Sequence, residues 1–333
     1  MSQAPGKPEA DAPPHTMQCM EVWGGFGQSD NGVIMPGLDV WVFSRPYQGS
    51  SEGGDVHYVS SCGTGRISRL LVADVSGHGA SVATIAKDLR DLMRRYVNFV
   101  DQRVFVERLN GSFVELSKNG LFATAAVATF FAPSQTLTVT NAGHPRPLLY
   151  SRERRAWRLM TEDARESGKG LANLPLGLSE ETTYPNIMLQ ATKGDVVVIY
   201  SDSLIEAPLE DTPGAKPGRL LGAEGLLDVA RSVQIEPVET LATRLYAAVL
   251  ARAARGTQTL GDDVTILVLR PNGNREAVPF FERVWAAVRF LGVAAASLVG
   301  GRAAPWPEMS RTNVLGSMFK SVSEGYGKGA ERI

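Results

Sequence analysis

The sequence predicts an α+β protein in which antiparallel sheets are stacked and flanked by helices. Two observations support this fold class: predicted strands follow one another in runs, and predicted helices occur in pairs. Strands that alternated singly with helices would instead indicate a parallel sheet built from βαβ units. The length of 333 residues, with 44% apolar residues, allows one large core plus appendages.

The first half of the fold is predicted to contain three strands and a helix pair. Apolar runs predict strands at 38–43, 56–60 and 67–73. Gly77-His78-Gly79 then opens a helix, and a second helix is predicted over 104–117. The first helix is amphipathic, because its apolar residues recur at helical spacing: Val82, Ile85, Leu89, Leu92, Met93 and Tyr96.

The second half is predicted to contain a run of strands, a second helix pair and a last strand. The strands of the run are expected at 123–131, 136–141, 147–150, 156–160, 186–189 and 195–200. Amphipathic helices are predicted over 223–233 and 237–254, and the last strand over 264–269. The charged segment 152–169 is predicted to be a solvated hairpin and flap, because charge runs usually face solvent.

Composition divides the chain into three regions. Residues 1–18 are rich in proline and contain little that can pack, which predicts a disordered segment. Residues 20–271 are predicted to form the folded domain. The C-terminal tail, residues 272–333, is predicted to contain an apolar helix near 280–301 and a flexible end. That stretch is short for a transmembrane span of about 20 clean residues, so it suits an interfacial or partner-docking helix, or one packed on the core.

Charge and cysteine content indicate which partners the protein can bind and in which cellular compartment it is expected. Lys and Arg number 34 against 35 Asp and Glu, so no field attracts nucleic acid. Cys19 and Cys62 form no CxxC motif, and the N-terminus lacks the apolar stretch of a signal peptide. We therefore expect a cytoplasmic protein without a nucleic-acid partner, peripheral to the membrane if the tail contacts its surface.

Carboxylates adjoin predicted strands at four places in the chain. Asp74 and Asp202 follow strands, Asp262 and Asp263 precede one, and Asp55 lies in Gly53-Gly54-Asp55. A single Asp at such a position is usually a turn residue or helix cap. Four together at rigid sheet edges suit a hard, oxygen-ligated divalent cation.

These segments resemble the metal-dependent PPM-type (protein phosphatase 2C) family, and specifically its SpoIIE-like bacterial serine/threonine phosphatase branch. The resemblance covers about residues 38–270. It is carried, in family order, by Gly53-Gly54-Asp55, Asp74-Val75-Ser76-Gly77-His78-Gly79, Asn141-Ala142-Gly143-His144-Pro145, Leu174-Pro175-Leu176-Gly177, Tyr200-Ser201-Asp202 and Asp262-Asp263-Val264-Thr265.

The resemblance implies a four-layer α/β/β/α sandwich with a helical or flexible C-terminal tail. It also implies two divalent metal ions, Mn²⁺ or Mg²⁺. Two such ions about 3.5 to 4 Å apart can activate a water that attacks a phosphoryl group in line, without a protein base.

By the same resemblance, Asp74 would bridge both metals, and the Val75 carbonyl would complete the second site. Asp202 and Asp262 would hold the first metal, and Asp55 would bind the second directly or through water. Asp263 remains an alternative to its neighbour Asp262. Catalysis is expected to depend most on Asp74 and Asp202.

The chain departs from the family pattern at two places. Ser203 follows Asp202 where the family usually has Gly, and a positive φ there would cost about 1 kcal/mol. Arg45 is the nearest candidate for a phosphate-binding arginine and matches poorly, so phosphate binding would depend on the metals. Among the histidines, His78 and His144 are interpreted as turn residues. His57, on the same strand face as Asp55, is a candidate proton donor.

The implied reaction is hydrolysis of phosphoserine or phosphothreonine on a regulatory protein such as an anti-sigma factor antagonist. Helices beside the metal site would switch the enzyme through an activating partner or a homodimer. The alternative function is a catalytically weak phosphatase-like domain that binds a phosphoprotein partner, since fold does not guarantee activity. Retention of all the acids favours the enzyme, and a membrane-attached scaffold has only the tail in its favour.

Overall fold

A computed structural model describes residues 14–19, 21–50, 53–76, 80–116, 120–161, 171–210, 218–274 and 331–332. Within these residues there are fourteen strands and four α-helices. The strands are β1 (His15–Thr16), β2 (Val22–Gly25), β3 (Ser29–Met35), β4 (Leu38–Arg45), β5 (Asp55–Ser61), β6 (Ile67–Val75), β7 (Ala123–Phe131), β8 (Thr136–Ala142), β9 (Leu148–Ser151), β10 (Ala156–Leu159), β11 (Asn186–Gln190), β12 (Val196–Tyr200), β13 (Val264–Pro271) and β14 (Glu331–Arg332). The helices are α1 (Ala80–Arg95), α2 (Gln102–Leu116), α3 (Gly222–Ser232) and α4 (Leu241–Arg252).

The strands form two seven-stranded sheets. Sheet A has the order β1-β3-β4-β13-β12-β9-β10, and sheet B has the order β14-β11-β8-β7-β6-β5-β2. Neighbouring strands are antiparallel except at β1–β3 and β11–β14, which are parallel. The prediction of antiparallel sheets is therefore confirmed.

Three apolar cores hold four layers together. The first lies between the sheets and includes Val40, Val72 and Leu267. The second packs α1 and α2 on the outer face of sheet B, and the third packs α3 and α4 on the outer face of sheet A. The apolar stripe predicted for α1 is buried throughout. The molecule is therefore the α/β/β/α sandwich that the sequence predicts.

The N-terminal edge of the fold differs from the prediction. His15 and Thr16 lie in the segment predicted to be disordered, yet they form β1 beside β3, and Met17 packs into the core between the sheets. Two contacts hold this stretch in place. The Met17 side chain is buried in the core, and the Met17 main-chain N–H donates a hydrogen bond to the Ile34 carbonyl at 3.0 Å. Residues 1–13, the predicted tail helix near 280–301 and most of the predicted flap lie outside the described residues.

The strand ends that carry the acids meet at one end of the space between the sheets. Asp55 begins β5 and lies opposite Asp74 near the end of β6. In sheet A, β12 ends next to the start of β13, where Tyr200 pairs with Ile266. A short 3₁₀ helix, Asp202–Leu204, follows β12 directly. Both sheets therefore contribute carboxylates to this end.

Candidate metal and active site

Asp55 and Asp74 lie side by side on sheet B, but in different surroundings. Asp55 is buried, and its Oδ2 atom has no hydrogen-bond partner in the described residues. Burial raises the pKa of Asp55 well above its usual value, and the charge of Asp74 adds to the rise, while hydrogen bonding by Ser201 and Thr265 opposes it. Asp55 therefore connects sheet B to the strand ends of sheet A.

Asp74 is half-buried and faces a group of like charges. Burial, followed by the charges of Asp202, Asp262, Asp263 and Glu206, raises its pKa to about 6. The pKa of Asp202 is raised by burial and by Asp262. In the described part of the chain, neither Asp74 nor Asp202 nor Asp262 forms a salt bridge with Lys, Arg or His. At this end of the space between the sheets, negative charge is therefore concentrated without a counter-ion among the described residues.

Asp263 differs from Asp262 in what its carboxylate binds. The Asp263 carboxylate accepts hydrogen bonds from the main-chain N–H groups of Tyr47 (2.6 Å), Gly54 and Asp55 (3.4 Å). The Asp262 side chain is exposed, and its Oδ1 atom accepts from the Asp263 N–H at 2.7 Å. Asp263 therefore joins three chain segments, whereas Asp262 keeps an oxygen open to the cleft.

The two glycines before Asp55 lie against the acids, and Gly53 is the one that the available space requires. A Cβ atom on Gly53 would lie 2.6 Å from Oδ2 of Asp263, which excludes any other residue without rearrangement. A Cβ atom on Gly54 would lie 3.5 Å from Oδ1 of Asp74 and 3.6 Å from the Val75 carbonyl oxygen. Gly54 therefore lies against both the Asp74 carboxylate and the Val75 carbonyl, and its own carbonyl accepts from the Val75 N–H at 3.2 Å.

The donor set fits a hard divalent cation in its chemistry. Its groups are carboxylates and a main-chain carbonyl, the ligands that Mg²⁺ and Mn²⁺ prefer. Half-buried carboxylates that lack a counter-ion are also stabilised by a cation. Among the residues described, no three Asp, Glu, His or Cys side chains are already gathered into a closed ligand cluster. The Asp263 carboxylate is turned toward main-chain donors, whereas Oδ2 of Asp55 has no hydrogen-bond partner among the described residues.

Sequence reasoning missed Glu206 and the supporting hydroxyls. Glu206 lies four residues after Asp202, and its pKa is raised by partial burial and by Asp202 and Asp262. Beside it lies a cavity of about 590 Å³, lined by Ser203, Glu206, Pro208, Thr257, Gln258 and Asp262 among others. No motif marked Glu206, whereas Ser201 and Thr265 stood inside quoted motifs without an assigned role.

Three other candidate residues have clear positions. Ser203 lies in the 3₁₀ helix without a positive φ, so the substitution for Gly causes no strain there. The Arg45 guanidinium donates to the Ser29 carbonyl at 3.3 Å and contacts Asp30 at 3.4 Å, so it is engaged away from the acids. His57 is buried, its pKa is lowered to about 4 by burial, and it packs against Trp23.

The comparisons with known proteins agree with this geometry. The fold is that of PPM-type (protein phosphatase 2C) phosphatases, and the family model of stage II sporulation protein E (SpoIIE) matches residues 65–272, more than half of the chain. The chain belongs to the SpoIIE family.

Three solved structures share the fold. The RsbU and RsbW domains of Rv1364c from Mycobacterium tuberculosis match 76% of this chain at 22% identity, with a TM-score of 0.57. The PP2C domain with a regulatory fragment of SpoIIE from Bacillus subtilis matches 70% at 15% identity, with a TM-score of 0.55. The SiaA-PP2C domain of Pseudomonas aeruginosa matches 69% at 17% identity, with a TM-score of 0.53.

The share of each solved chain that the match covers also differs. The present chain spans 64% of the mycobacterial chain and 61% of the Bacillus chain, but 84% of the Pseudomonas domain. None of the described helices is long and apolar enough to span a membrane.

Proposed function

We propose that this chain is a divalent-metal-dependent protein serine/threonine phosphatase. The observation that carries the proposal is that carboxylates from both sheets meet at one end of the space between the sheets, with no counter-ion among the described residues. A structural role explains such a group poorly, because mutual repulsion and burial destabilise it in the absence of a cation. Membership of the SpoIIE family supports the same activity.

The proposed ligand assignment follows the position of each acid. Asp74 would bridge two ions, with the Val75 carbonyl and Asp55 at the second and with Asp202 and Asp262 at the first. The open oxygen of Asp262 supports the choice of Asp262, since the Asp263 carboxylate is occupied by main-chain donors. Two ions bound there, Mn²⁺ or Mg²⁺, would supply an activated water and positive charge beside the phosphoryl oxygens.

The protein's own residues would orient the reaction. Asp55 and Asp74 lie in sheet B, and Asp202 begins the 3₁₀ helix directly after β12, so these ordered elements would place their oxygens before the substrate arrives. Because the Arg45 guanidinium is engaged elsewhere, phosphate binding would depend on the metal centre. The polar cavity that Glu206 and Asp262 line adjoins this centre and would receive the peptide on one side of the phosphorylated residue.

We further propose that the substrate is a phosphoprotein of a regulatory pathway, such as an anti-sigma factor antagonist. The similarity to a structure that contains RsbU and RsbW domains supports a regulatory setting. We place the enzyme in the cytoplasm: no disulfide joins Cys19 and Cys62, the chain's two cysteines. Membrane contact through the tail is a proposal that concerns residues outside those described.

The experiment that tests the proposal is an assay of the purified full chain. A phosphoserine peptide and p-nitrophenyl phosphate are each supplied with Mn²⁺, with Mg²⁺ or with a chelator. We expect turnover of both substrates with metal and none with the chelator. Absence of turnover at every metal concentration would overturn the enzymatic proposal.

A phosphoprotein-binding domain with weak catalysis is the second candidate. It is favoured by one observation, that the acids within the described residues form no closed ligand cluster. Calorimetric titration with Mn²⁺ distinguishes the candidates, because a silent domain should bind Mn²⁺ weakly or not at all. Tight binding of two ions per chain would favour the enzyme.

A further inference from the structure

His144 lies between the two sheets, next to the residues that carry the acids. Its Nδ1 atom is 2.9 Å from the hydroxyl oxygen of Thr124. Thr124 lies directly opposite Asp74 in the ladder between β6 and β7. Directly paired residues on adjacent strands share one face of the sheet. On one side, His144 therefore contacts the immediate neighbour of Asp74.

On its other side, His144 meets sheet A. The main-chain carbonyl of Tyr200 lies near the ring and favours its protonated form, although burial dominates and lowers the pKa of His144 to about 4. The Tyr200 hydroxyl donates to the Arg146 carbonyl at 2.7 Å. Tyr200 ends β12, two residues before Asp202. The same short loop thus contacts the strand that positions Asp202.

The turn that carries His144 is held rigidly. The Asn141 side chain accepts from the His144 N–H at 2.7 Å and donates to the His144 carbonyl at 2.6 Å. Gly143 has a φ of +71°, and a Cβ atom there would lie 2.6 Å from Cγ of Pro175. The ring therefore has little freedom to move relative to Thr124 and Tyr200.

The ring retains an unused polar atom. Nε2 is buried and has no hydrogen-bond partner among the described residues. If Nδ1 accepts from the Thr124 hydroxyl, Nε2 carries the proton of the neutral ring and is directed to the Tyr200 side. A buried donor left without a partner is costly, so it requires an explanation in a native protein.

We propose that His144 is a positioning residue that sets the separation between Asp74 on sheet B and Asp202 on sheet A. It acts through Thr124 on one side and through the Tyr200 segment on the other, and it touches neither substrate nor metal. The inference rests on the proposed metal-dependent function. Groups that orient metal ligands typically contribute about 10- to 100-fold to metal affinity or activity.

The test compares two nearly isosteric replacements, His144→Asn and His144→Leu, in the full chain. The amide oxygen of Asn can still accept from the Thr124 hydroxyl, whereas Leu cannot. Mn²⁺ affinity is measured by calorimetry, and turnover of p-nitrophenyl phosphate is measured across a Mn²⁺ titration. We expect His144→Leu to weaken Mn²⁺ binding at least about tenfold. Saturating Mn²⁺ should restore most of kcat, and His144→Asn should bind Mn²⁺ more tightly than His144→Leu.

Thr124→Val provides a second variant that removes one hydroxyl and preserves shape. Thr124→Val should also weaken Mn²⁺ binding. The double variant should bind Mn²⁺ as tightly as His144→Leu does, because both substitutions remove the same hydrogen bond between Thr124 and His144. Ser68→Ala is the matched control, since it removes a buried hydroxyl at the opposite end of β6 that has no hydrogen-bond partner among the described residues. We expect Ser68→Ala to bind Mn²⁺ as the unaltered chain does.

The outcomes separate this inference from the proposed function. A packing role alone predicts the reverse order, with Leu better tolerated than Asn in a buried site, and that order would overturn the inference. Unchanged Mn²⁺ affinity in folded His144→Leu and Thr124→Val would also overturn it. If the unaltered chain binds Mn²⁺ in a His144-dependent way but hydrolyses neither substrate, the inference stands and the phosphatase proposal fails.

Discussion

Asp74 is the residue on which the proposed chemistry depends most. It is half-buried, faces four other acids and would contact both ions. Asp74→Asn should therefore lower Mn²⁺-dependent kcat on p-nitrophenyl phosphate at least about 10³-fold, and Asp202→Asn should act similarly. The fold should survive, because neutralising one acid relieves repulsion. Near-normal turnover by a folded Asp74→Asn variant would contradict the two-metal assignment.

Asp262 and Asp263 should respond differently to the same substitution. Asp263→Asn removes an acceptor from the main-chain N–H groups of Tyr47 and Gly54, so it should lower the free energy of unfolding by about 1 to 3 kcal/mol. Asp262→Asn should instead weaken Mn²⁺ binding and leave stability nearly unchanged. Urea unfolding and calorimetry measure the two effects. If Asp263→Asn bound Mn²⁺ more weakly than Asp262→Asn, Asp263 would be the metal ligand and Asp262 would not.

Protonation of Asp74 should affect the stability of the metal-free protein. Its pKa rises from 3.8 to about 6 on folding, so its contribution is fully present below about pH 4 and is lost as the pH rises through 6. Buried His57 and His144, with pKa lowered to about 4, act in the opposite direction over an overlapping range. The comparison must therefore be with Asp74→Asn.

The melting temperature of chelator-treated protein, measured at pH 5 and at pH 7.5, provides that comparison. The advantage of Asp74→Asn over the unaltered chain should be larger at pH 7.5. Equal differences at both pH values would show that Asp74 is not strained by its surroundings.

Which of two adjacent acids is structural could not be predicted from the sequence. The partners of Asp263 lie 208 to 216 residues away in the chain, so nothing near Asp263 marks it. Asp262 and Asp263 both precede β13, and only the tertiary fold orients them differently. The positions of Asp55, Asp74 and Asp202 were predictable, because each adjoins a clear apolar run.

At the scale of elements, α1 is held at its C-terminal end by a buried arginine. Arg69 of β6 donates to the carbonyls of Tyr96 at 3.2 Å and Phe99 at 2.6 Å, and its guanidinium stacks on the Phe105 ring. The strand that carries Asp74 thus also anchors the helix that follows the Asp74 segment. A displacement of α1 would be transmitted to that segment and to the Val75 carbonyl.

Arg69→Lys should reveal whether the position of α1 controls the metal centre. Lysine cannot reproduce the planar set of donors, so α1 should be held less firmly. We expect the Mn²⁺ concentration for half-maximal activity to rise several-fold, with kcat restored at saturating Mn²⁺ by mass action. An unchanged Mn²⁺ response in the folded variant would show that α1 does not control the centre.

The same titration tests regulation by a partner or by dimerisation. If α1 switches the enzyme, the unaltered chain should have low activity at micromolar Mn²⁺, and activity should rise with protein concentration or with an activating partner. Full activity at micromolar Mn²⁺, without such a response, would indicate a constitutive enzyme.

The helices and strands differ in how well the sequence predicts them. α4 was predictable because Leu241, Leu245 and Val249 form one buried stripe. β2 and β3 were not, because Gly24, Gly25 and the Ser29–Met35 strand, which begins Ser-Asp-Asn-Gly, have low strand propensity. Their conformation depends on pairing with β5 and β4, which is a tertiary property.

At the scale of the whole molecule, the extent of the proposed catalytic domain can be tested by truncation. The fragment 14–274 keeps Met17 in the core and Asn272, whose side chain donates to Asp39 at 2.9 Å. It should retain turnover of p-nitrophenyl phosphate. The shorter fragment 20–274 should also be active but should lose at least about 2 kcal/mol of stability with Met17.

Both fragments lack β14, which pairs with β11, so β11 becomes the edge strand of sheet B in the fragments. An uncovered edge strand promotes association, so the fragments should self-associate more than the full chain in light scattering. A 14–274 fragment that is folded by circular dichroism yet inactive would place part of the active site in the C-terminal tail.

The hydrogen bond from Tyr47 to Asp263 also bears on how the protein is made. The two residues that form this hydrogen bond are 216 positions apart in the chain. The acids of sheet B likewise reach their final surroundings only after β12 and β13 have joined sheet A. When the ribosome has released only the first 200 residues or so, Asp55 and Asp74 are already outside it. The segments that surround them in the folded protein, Asp202 and β13, are not yet available. Contacts of such long range form late and slowly. We therefore expect the proposed metal centre to be completed only after β13, the last strand of the core, has left the ribosome.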